Sequence, residues 1–296
     1  MGLRALLIAC LTLLCAPAMA QEAARLPVVA SFSILADLVR NVGGERVAVT
    51  SLVAPGGDAH VYTPTPQDAR KLADAQLIVI NGLKFEGWID RLVTSSGTKA
   101  RIGVATRGLT PLGGDDGHGH KGADPHAWQS IANVKLYVAN IRDDLSAVDP
   151  AGQSAYAAQA SAYLARLDAL EQEVRATIAG IPPERRKLVT THDAFGYFSA
   201  AYGLAFIAPL GVSTDSEASA QDIARIIRQI RAQKIPAVFL ENVSDPRLTR
   251  RIAAETGAKV GGDLYSDGLS PPGGPAGTYI DMVQYNIREL QAALSP

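Results

Sequence analysis

One unbroken helical segment most constrains what this chain can fold into. Asp149 and Pro150 form a helix start, and residues 151–179 follow without a break until Gly180 and two prolines end the helix. At 1.5 Å per residue this segment spans roughly 43 Å, which is long enough to run beside two lobes. Its apolar residues recur at the three- and four-residue steps of a helix that buries one face: Tyr156, Ala160, Tyr163, Leu167, Leu170, Val174 and Ile178. We therefore predict a long linking helix, with an ordinary surface helix of a single domain as the alternative.

Strand and helix patterns alternate on both sides of this segment. The predicted strands cover 26–31, 47–53, 77–80, 101–105, 187–191, 204–210, 237–240 and the region around 259–260. Helices are predicted between them at 33–42, 85–93 and 194–202 and from Pro66, Ala220 and Pro246. Strands that alternate with helices form parallel sheets covered on both faces, and the segments 66–70 and 220–225 occupy matching places. We therefore predict an α/β fold with an internal duplication, in which lobes at 25–148 and 184–296 are joined by a rigid linking helix at 149–181.

The first twenty residues have the three parts of a secretory signal peptide. A positive charge at Arg4 precedes an apolar run at 5–14, and Ala18-Met19-Ala20 is a cleavage site. The two cysteines, Cys10 and Cys15, lie inside this segment, so we expect a mature chain without disulfides. The residues that end at Cys10 only faintly resemble a lipoprotein box, and no later segment is long enough to span a bilayer. We expect a periplasmic protein with a cleaved leader, no lipid anchor and no transmembrane segment.

Charge and composition exclude other classes of protein. Lys and Arg number 28 against 29 Asp and Glu, so the chain lacks the basic excess that nucleic-acid binding requires. A content of 47% hydrophobic and 19% charged residues is typical of a chain with a packed core and excludes a disordered one.

Three of the five histidines lie where predicted strands end. His60 follows the second strand and a Pro-Gly-Gly turn, His126 follows an Asp-Pro pair, and His192 directly ends the fifth strand. In open α/β sheets ligands bind beyond the carboxyl ends of the strands, so the three rings could converge in one cleft. A single histidine at a strand end is more often a hydrogen-bonded structural residue, but three placed in this way indicate a metal site.

A zinc site typically needs a fourth donor. Asp267, in a turn after the last predicted strand, is the candidate, with Glu241 and Asp193 as rivals on spacing alone. Asp193, Glu217 and Glu241 are also candidates for carboxylates that orient the imidazole rings. Ligands spread over both lobes would place the ion between them, where it can be released.

The remaining histidines lie in a polar glycine-rich loop. His118 and His120 follow Asp115 and Asp116 within residues 113–122. These four side chains could capture metal weakly or receive it from a periplasmic metal-delivering protein. The alternative is a solvated loop with no role.

Five motifs together resemble one family, the metal-binding solute receptors of ABC importers. They are Asp58-Ala59-His60 with 62–66, Asp124-Pro125-His126-Ala127-Trp128, 191–197, Asp267-Gly268-Leu269-Ser270 and Gly277-Thr278-Tyr279. The resemblance implies two Rossmann-like lobes joined by a backbone helix, with a metal at their interface bound by His60, His126, His192 and Asp267. It also implies a monomeric extracytoplasmic receptor that is not an enzyme and that passes its ion to a membrane permease.

The donor set favours zinc. Three neutral imidazoles and one carboxylate suit Zn²⁺, whereas sites rich in carboxylates suit Mn²⁺, and in the family a glutamate in the place of His192 resembles the manganese type. We expect one tightly bound Zn²⁺, with a receptor for manganese or another divalent metal as the alternative. The alternative from a different class is an exported zinc hydrolase, but the chain has no H-E-x-x-H motif and Asp267 would fill the open position.

Overall fold

The computed structural model describes residues 25–115, 121–215 and 217–295. The predicted signal peptide at 1–20 lies outside the described residues. Within the described part of the chain, no helix combines the length and the apolar character needed to cross a bilayer.

The N-terminal lobe is built on a parallel four-stranded sheet. Its strands are β1 Leu26–Ala30, β2 Val47–Ser51, β3 Leu77–Ile80 and β4 Arg101–Val104, in the spatial order β2-β1-β3-β4. Its helices are α1 Ser33–Gly43, α2 Pro66–Asp74 and α3 Ile89–Ser96. A short antiparallel hairpin follows, formed by β5 Gly113–Asp115 and β6 Lys121–Ala123. Two long helices come next, α4 Ile131–Val148 and α5 Gln153–Ala179.

The C-terminal lobe repeats this plan. Its strands are β7 Lys187–Val189, β8 Ala205–Ile207, β9 Ala237–Glu241 and β10 Lys259–Leu264. Its helices are α6 Gly196–Tyr202, α7 Ala220–Gln233, α8 Pro246–Thr256 and α9 Tyr279–Leu294. The sheet is again parallel, with the order β10-β9-β7-β8. Counted from the start of each lobe, both sheets therefore have the strand order 2-1-3-4. The predicted α/β fold with two lobes of related design is confirmed.

The matching helices α2 and α7 begin in the same way. The Thr65 hydroxyl accepts a hydrogen bond from the backbone N–H of Asp68, and Ser219 accepts one from Asp222. Each hydroxyl satisfies a backbone donor that the first turn of a helix leaves without a partner. The two segments that matched in sequence thus share their local structure as well.

The linking helix α5 packs against both lobes. It has 27 residues, and all seven residues of the predicted apolar stripe are buried. Helix α5 contacts α1 and α4 on one side and α6 and α9 on the other. One hydrophobic cluster consequently runs from the N-terminal lobe through α5 into the C-terminal lobe. A second, smaller cluster lies under α7 and α8, on the other face of the C-terminal sheet.

Three helices differ from the sequence expectation. The helix predicted at 85–93 begins only at Ile89, after a turn in which Gly82, Leu83 and Lys84 take left-handed backbone conformations with φ of 85°, 55° and 64°. The sequence patterns do not predict helices α4 and α9.

Candidate metal centre

Three imidazole rings converge on one carboxylate at the facing ends of the two sheets. The Asp267 carboxylate lies 3.5 Å from His60 Nε2, 3.6 Å from His126 Nε2 and 3.0 Å from His192 Nε2. The Nε2 atoms of His60 and His126 are 3.2 Å apart. With metal–ligand distances of 2.0–2.1 Å, the edges of a tetrahedral zinc site measure about 3.3 Å. These four separations are therefore close to the edge length of a tetrahedral site.

All four sequence-predicted ligands are thus brought together, and they form a cluster whose donor atoms lie within 4.8 Å of one another. Each lies in a loop after a strand or just before a helix, as the rule for parallel sheets predicts. The rival carboxylates Asp193 and Glu241 do not join this cluster, and Glu217 is an exposed residue that lines a different cavity.

Burial differs among the four residues. The side chains of His126, His192 and Asp267 are 0% exposed, and that of His60 is 5% exposed. His60 also borders a cavity of about 530 Å³, whose lining includes Lys84, Phe85, Lys121 and Val212. The cluster is therefore approached from solvent at His60.

A carboxylate holds the ring of His126 from behind. Asp124 Oδ1 accepts a hydrogen bond from the backbone N–H of His126 at 2.9 Å and lies 2.8 Å from its Nδ1. An Nδ1–H that donates to a carboxylate fixes the tautomer with a free lone pair on Nε2. Sequence reasoning missed this role of Asp124. The signal was present, because Asp58-Ala59-His60 has the same spacing and Asp58 Oδ1 likewise accepts from the backbone N–H of His60 at 2.8 Å.

The Glu241 carboxylate lies behind the ring of His192. Its Oε2 lies 2.6 Å from His192 Nδ1. Its Oε1 accepts hydrogen bonds from the backbone N–H groups of Thr191 and His192 at 2.6 and 3.0 Å. Glu241 is therefore one of the orienting carboxylates that the sequence predicts, whereas the exposed Glu217 is not.

Residues of the N-terminal lobe hold the turn that carries Asp267. Trp128 Nε1 and Gln129 Nε2 both donate hydrogen bonds to the Ser266 carbonyl at 2.8 Å. The N–H of Leu269 donates to the Ser33 hydroxyl at 3.0 Å. A further bond between the lobes runs from the Thr214 hydroxyl to Asp58 Oδ2 at 2.6 Å. The position of Asp267 thus depends on both lobes.

The buried charges stabilise one another. Burial opposes the charged form of His192, but Glu241 and Asp267 outweigh it and hold the pKa of His192 well above its usual value. Burial likewise opposes the charged form of Asp267, yet His192 and His126 hold the pKa of this carboxyl well below its usual value. For His60, burial dominates and lowers the pKa. The cluster therefore favours one proton on His192 and a neutral ring at His60.

The histidine loop is only partly described. Asp116, His118 and His120 lie outside the described residues, as does the side chain of Asp115, whose backbone pairs with Lys121 in the β5–β6 hairpin. A role for this loop in metal capture stays a prediction.

A buried cluster of ligands between two α/β lobes, with all four positions supplied by the chain, is the arrangement of a receptor that carries a metal ion as cargo. Residues 28–293 match the ZnuA family, described as the periplasmic component A of zinc-uptake complexes. The chain belongs to this family of extracytoplasmic, metal-binding receptors of ABC importers. Its members are substrate-binding proteins that serve a membrane permease and are not enzymes, so the alternative of an exported zinc hydrolase is wrong.

Relatives of the chain are named for different metals. The manganese-binding lipoprotein MntA of Halalkalibacterium halodurans is 35% identical over 91% of this chain and 89% of its own length. The iron-binding protein YfeA of Yersinia pestis is 36% identical over 90% of this chain and 85% of its own. The solved structure of the periplasmic zinc-binding protein TroA of Treponema pallidum covers 92% of this chain and 100% of its own, at 32% identity and a TM-score of 0.87. The family is therefore common to receptors for several divalent metals. Because MntA is a lipoprotein, the comparison does not support the expectation that a lipid anchor is absent.

Proposed function

We propose that this chain is the periplasmic receptor of a zinc importer. It binds a single Zn²⁺ with His60, His126, His192 and Asp267 and passes the ion to the permease of an ABC transporter. The observation that carries the proposal is the donor set, in which three Nε2 atoms lie 3.0–3.6 Å from a buried carboxylate. Tetrahedral coordination by nitrogen suits zinc.

Manganese is the alternative cargo, and the names of relatives such as MntA favour it. Against it, Mn²⁺ prefers octahedral sites made of oxygen donors, whereas this cluster offers one carboxylate and three imidazoles. A simple comparison of affinities does not separate the two metals, because nearly every site binds Zn²⁺ more tightly than Mn²⁺. The test must therefore measure what the protein carries in the cell and which metal the cell lacks without it.

The experiment has two parts. The full chain is expressed with its own leader in cells supplied with both metals, and the metal content of the protein purified from the periplasm is measured. A strain that lacks the gene is then grown under zinc limitation and, separately, under manganese limitation. We expect one zinc per chain and a growth defect under zinc limitation only. Bound manganese, together with a defect under manganese limitation, would refute the zinc assignment and favour the alternative.

A further inference from the structure

The carboxylate of Asp267 differs from the rings around it in how it is held. It is 0% exposed, and among the described residues no group outside the cluster donates a hydrogen bond to either of its oxygens. The rings of His126 and His192, by contrast, each have a carboxylate behind them. Metal ligands are normally oriented by such neighbours. For Asp267 this task therefore falls to the contacts that hold its backbone.

Helix α9 holds this backbone through Asn286. The side chain of Asn286 is 4% exposed, its Oδ1 accepts a hydrogen bond from the N–H of Tyr265 at 2.9 Å, and its Nδ2 donates to the Tyr265 carbonyl at 2.8 Å. One side chain thus binds both backbone groups of Tyr265, two residues before Asp267. A displacement of α9 would consequently move the start of the turn that carries the ligand.

The N-terminal lobe fixes the start of α9. Asp37 of α1 is 7% exposed, and its Oδ2 accepts a hydrogen bond at 2.9 Å from the N–H of Tyr279, the first residue of α9. This N–H is one of the donors that a helix leaves without an internal partner, and the carboxylate lies at the positive end of the helix dipole. Tyr279 and Asn286 are seven residues apart, so they lie two turns from one another on the same side of α9.

We propose that Asp37 and Asn286 are positioning residues for the metal ligand Asp267 and that they act on it through α9. The inference rests on the proposed function, because it takes Asp267 as one of the ligands. Asp37 sets the position of α9 relative to the lobe that supplies His60 and His126. Asn286 passes that position to the turn of Asp267 in the other lobe. The separation between the carboxylate and these two rings therefore depends on contacts made outside the cluster.

The N-terminal lobe supplies matched controls whose contacts stay within that lobe. Asp144 is 2% exposed and pairs with Arg101 and Arg107. Glu86, which is 4% exposed, is a further carboxylate of this kind, since it accepts hydrogen bonds from the backbone after β3. Asn140 is 7% exposed and donates to two backbone carbonyls after β4. Asp144 is therefore the control for Asp37, and Asn140 is the control for Asn286.

The test is a double-mutant cycle between the two positions. The variants are Asp37→Ala, Asn286→Ala, the two combined, Asp37→Asn, and the controls Asp144→Ala and Asn140→Ala, all in the full-length mature protein. The rate of zinc loss to an excess of chelator and the thermal unfolding are measured for each variant. The visible spectrum of the Co²⁺-loaded protein reports the coordination geometry, which a loss of stability alone leaves unchanged.

We expect Asn286→Ala to speed the loss of zinc roughly ten-fold and to change the Co²⁺ spectrum, whereas Asn140→Ala changes neither despite a similar loss of thermal stability. Asp37→Ala should also speed the loss of zinc. Asp37→Asn should restore most of the wild-type rate, because the amide oxygen still accepts the hydrogen bond from Tyr279. In the Asn286→Ala background, Asp37→Ala should have little further effect, since the route through α9 is already broken.

Other results would overturn the proposal. These are independent effects of the two substitutions on the rate of zinc loss, or an equal rise of this rate in Asp144→Ala or Asn140→Ala. If Asn286→Ala does not fold, the two Asp37 variants still decide, because the proposal requires the rate to rise in Asp37→Ala and to return in Asp37→Asn. A wild type that binds no zinc, or an Asp267→Ala protein that holds zinc as tightly as the wild type, would instead refute the proposed function.

Discussion

Zinc binding near pH 7.5 should release one proton per ion, and His192 is its source. Glu241 and Asp267 hold the pKa of His192 well above the usual 6.5, whereas burial lowers the pKa of His60. A metal coordinates only the unprotonated nitrogen. At this pH the ion therefore displaces the proton of His192 and none from His60.

The size of the effect follows from this proton count. Each proton displaced makes the dissociation constant fall about ten-fold per pH unit, which corresponds to about 1.4 kcal/mol. The window extends from the ordinary histidine pKa of 6.5 up to the raised pKa of His192. Three imidazoles with the usual pKa of 6.5 would instead give a dissociation constant that depends little on pH above 6.5. The carboxylates around His192 thus move the loss of affinity to a higher pH than the composition of the site alone predicts.

Calorimetry measures this proton directly. Titrations of zinc into the metal-free protein at pH 7.5, in two buffers that differ in ionisation enthalpy, give the number of protons released. Glu241→Gln should release less than one proton, since one of the two charges that raise the pKa of His192 is removed, and Glu86→Gln should release as many as the wild type. Zinc binding without proton release, or an affinity that does not change between pH 7 and 8, would refute the reasoning.

Three further predictions concern stability and kinetics. Protonated His192 stabilises the metal-free fold, because its pKa is raised in the folded state. This stabilisation is fully present below pH 6.5 and is lost as the pH rises through the raised pKa. The metal-free protein should therefore melt at a lower temperature at pH 9 than at pH 6.5. Leu167→Ala, at a fully buried position of α5, should lower the free energy of unfolding in urea by about 2–5 kcal/mol without changing zinc stoichiometry. Trp128→Phe removes one of the two donors to the Ser266 carbonyl. It should lower the free energy of unfolding in urea by about 1 kcal/mol and speed the loss of zinc to an excess of chelator. An unchanged rate of zinc loss would show that this bond does not hold the turn.

The sequence predicts those features that depend on regular spacing. The seven residues of the α5 stripe are all buried because a single helical period determines them. His60, His192 and Asp267 are brought together because each follows a parallel strand, and ligands bind beyond the carboxyl ends of such strands. His126 joins them from the segment after the β5–β6 hairpin. Here a local pattern is sufficient to predict a property of the whole fold.

Other features depend on partners that are distant in sequence. Helix α4 was not recognised because its buried face includes Asn140 and Asp144, which look like surface residues. Asp144 pairs with Arg101 and Arg107, and Asn140 donates hydrogen bonds to the backbone of the same region. The late start of the helix predicted at 85–93 has a similar cause. Buried Glu86 binds the backbone of Asn81 and Gly82 and stabilises a turn there, which no helical period reveals.

The two hydrophobic clusters have a mechanical consequence. The large cluster is continuous through both lobes and α5, so swinging the lobes apart as rigid halves would expose its apolar side chains to water. The small cluster under α7 and α8 is separate, and it includes Ile226, Ile230 and Ile252. Thr214, which lies just before α7, bonds to Asp58 two residues from His60. We therefore expect release of the ion to depend on movement of this outer layer of the C-terminal lobe rather than on the two lobes swinging apart.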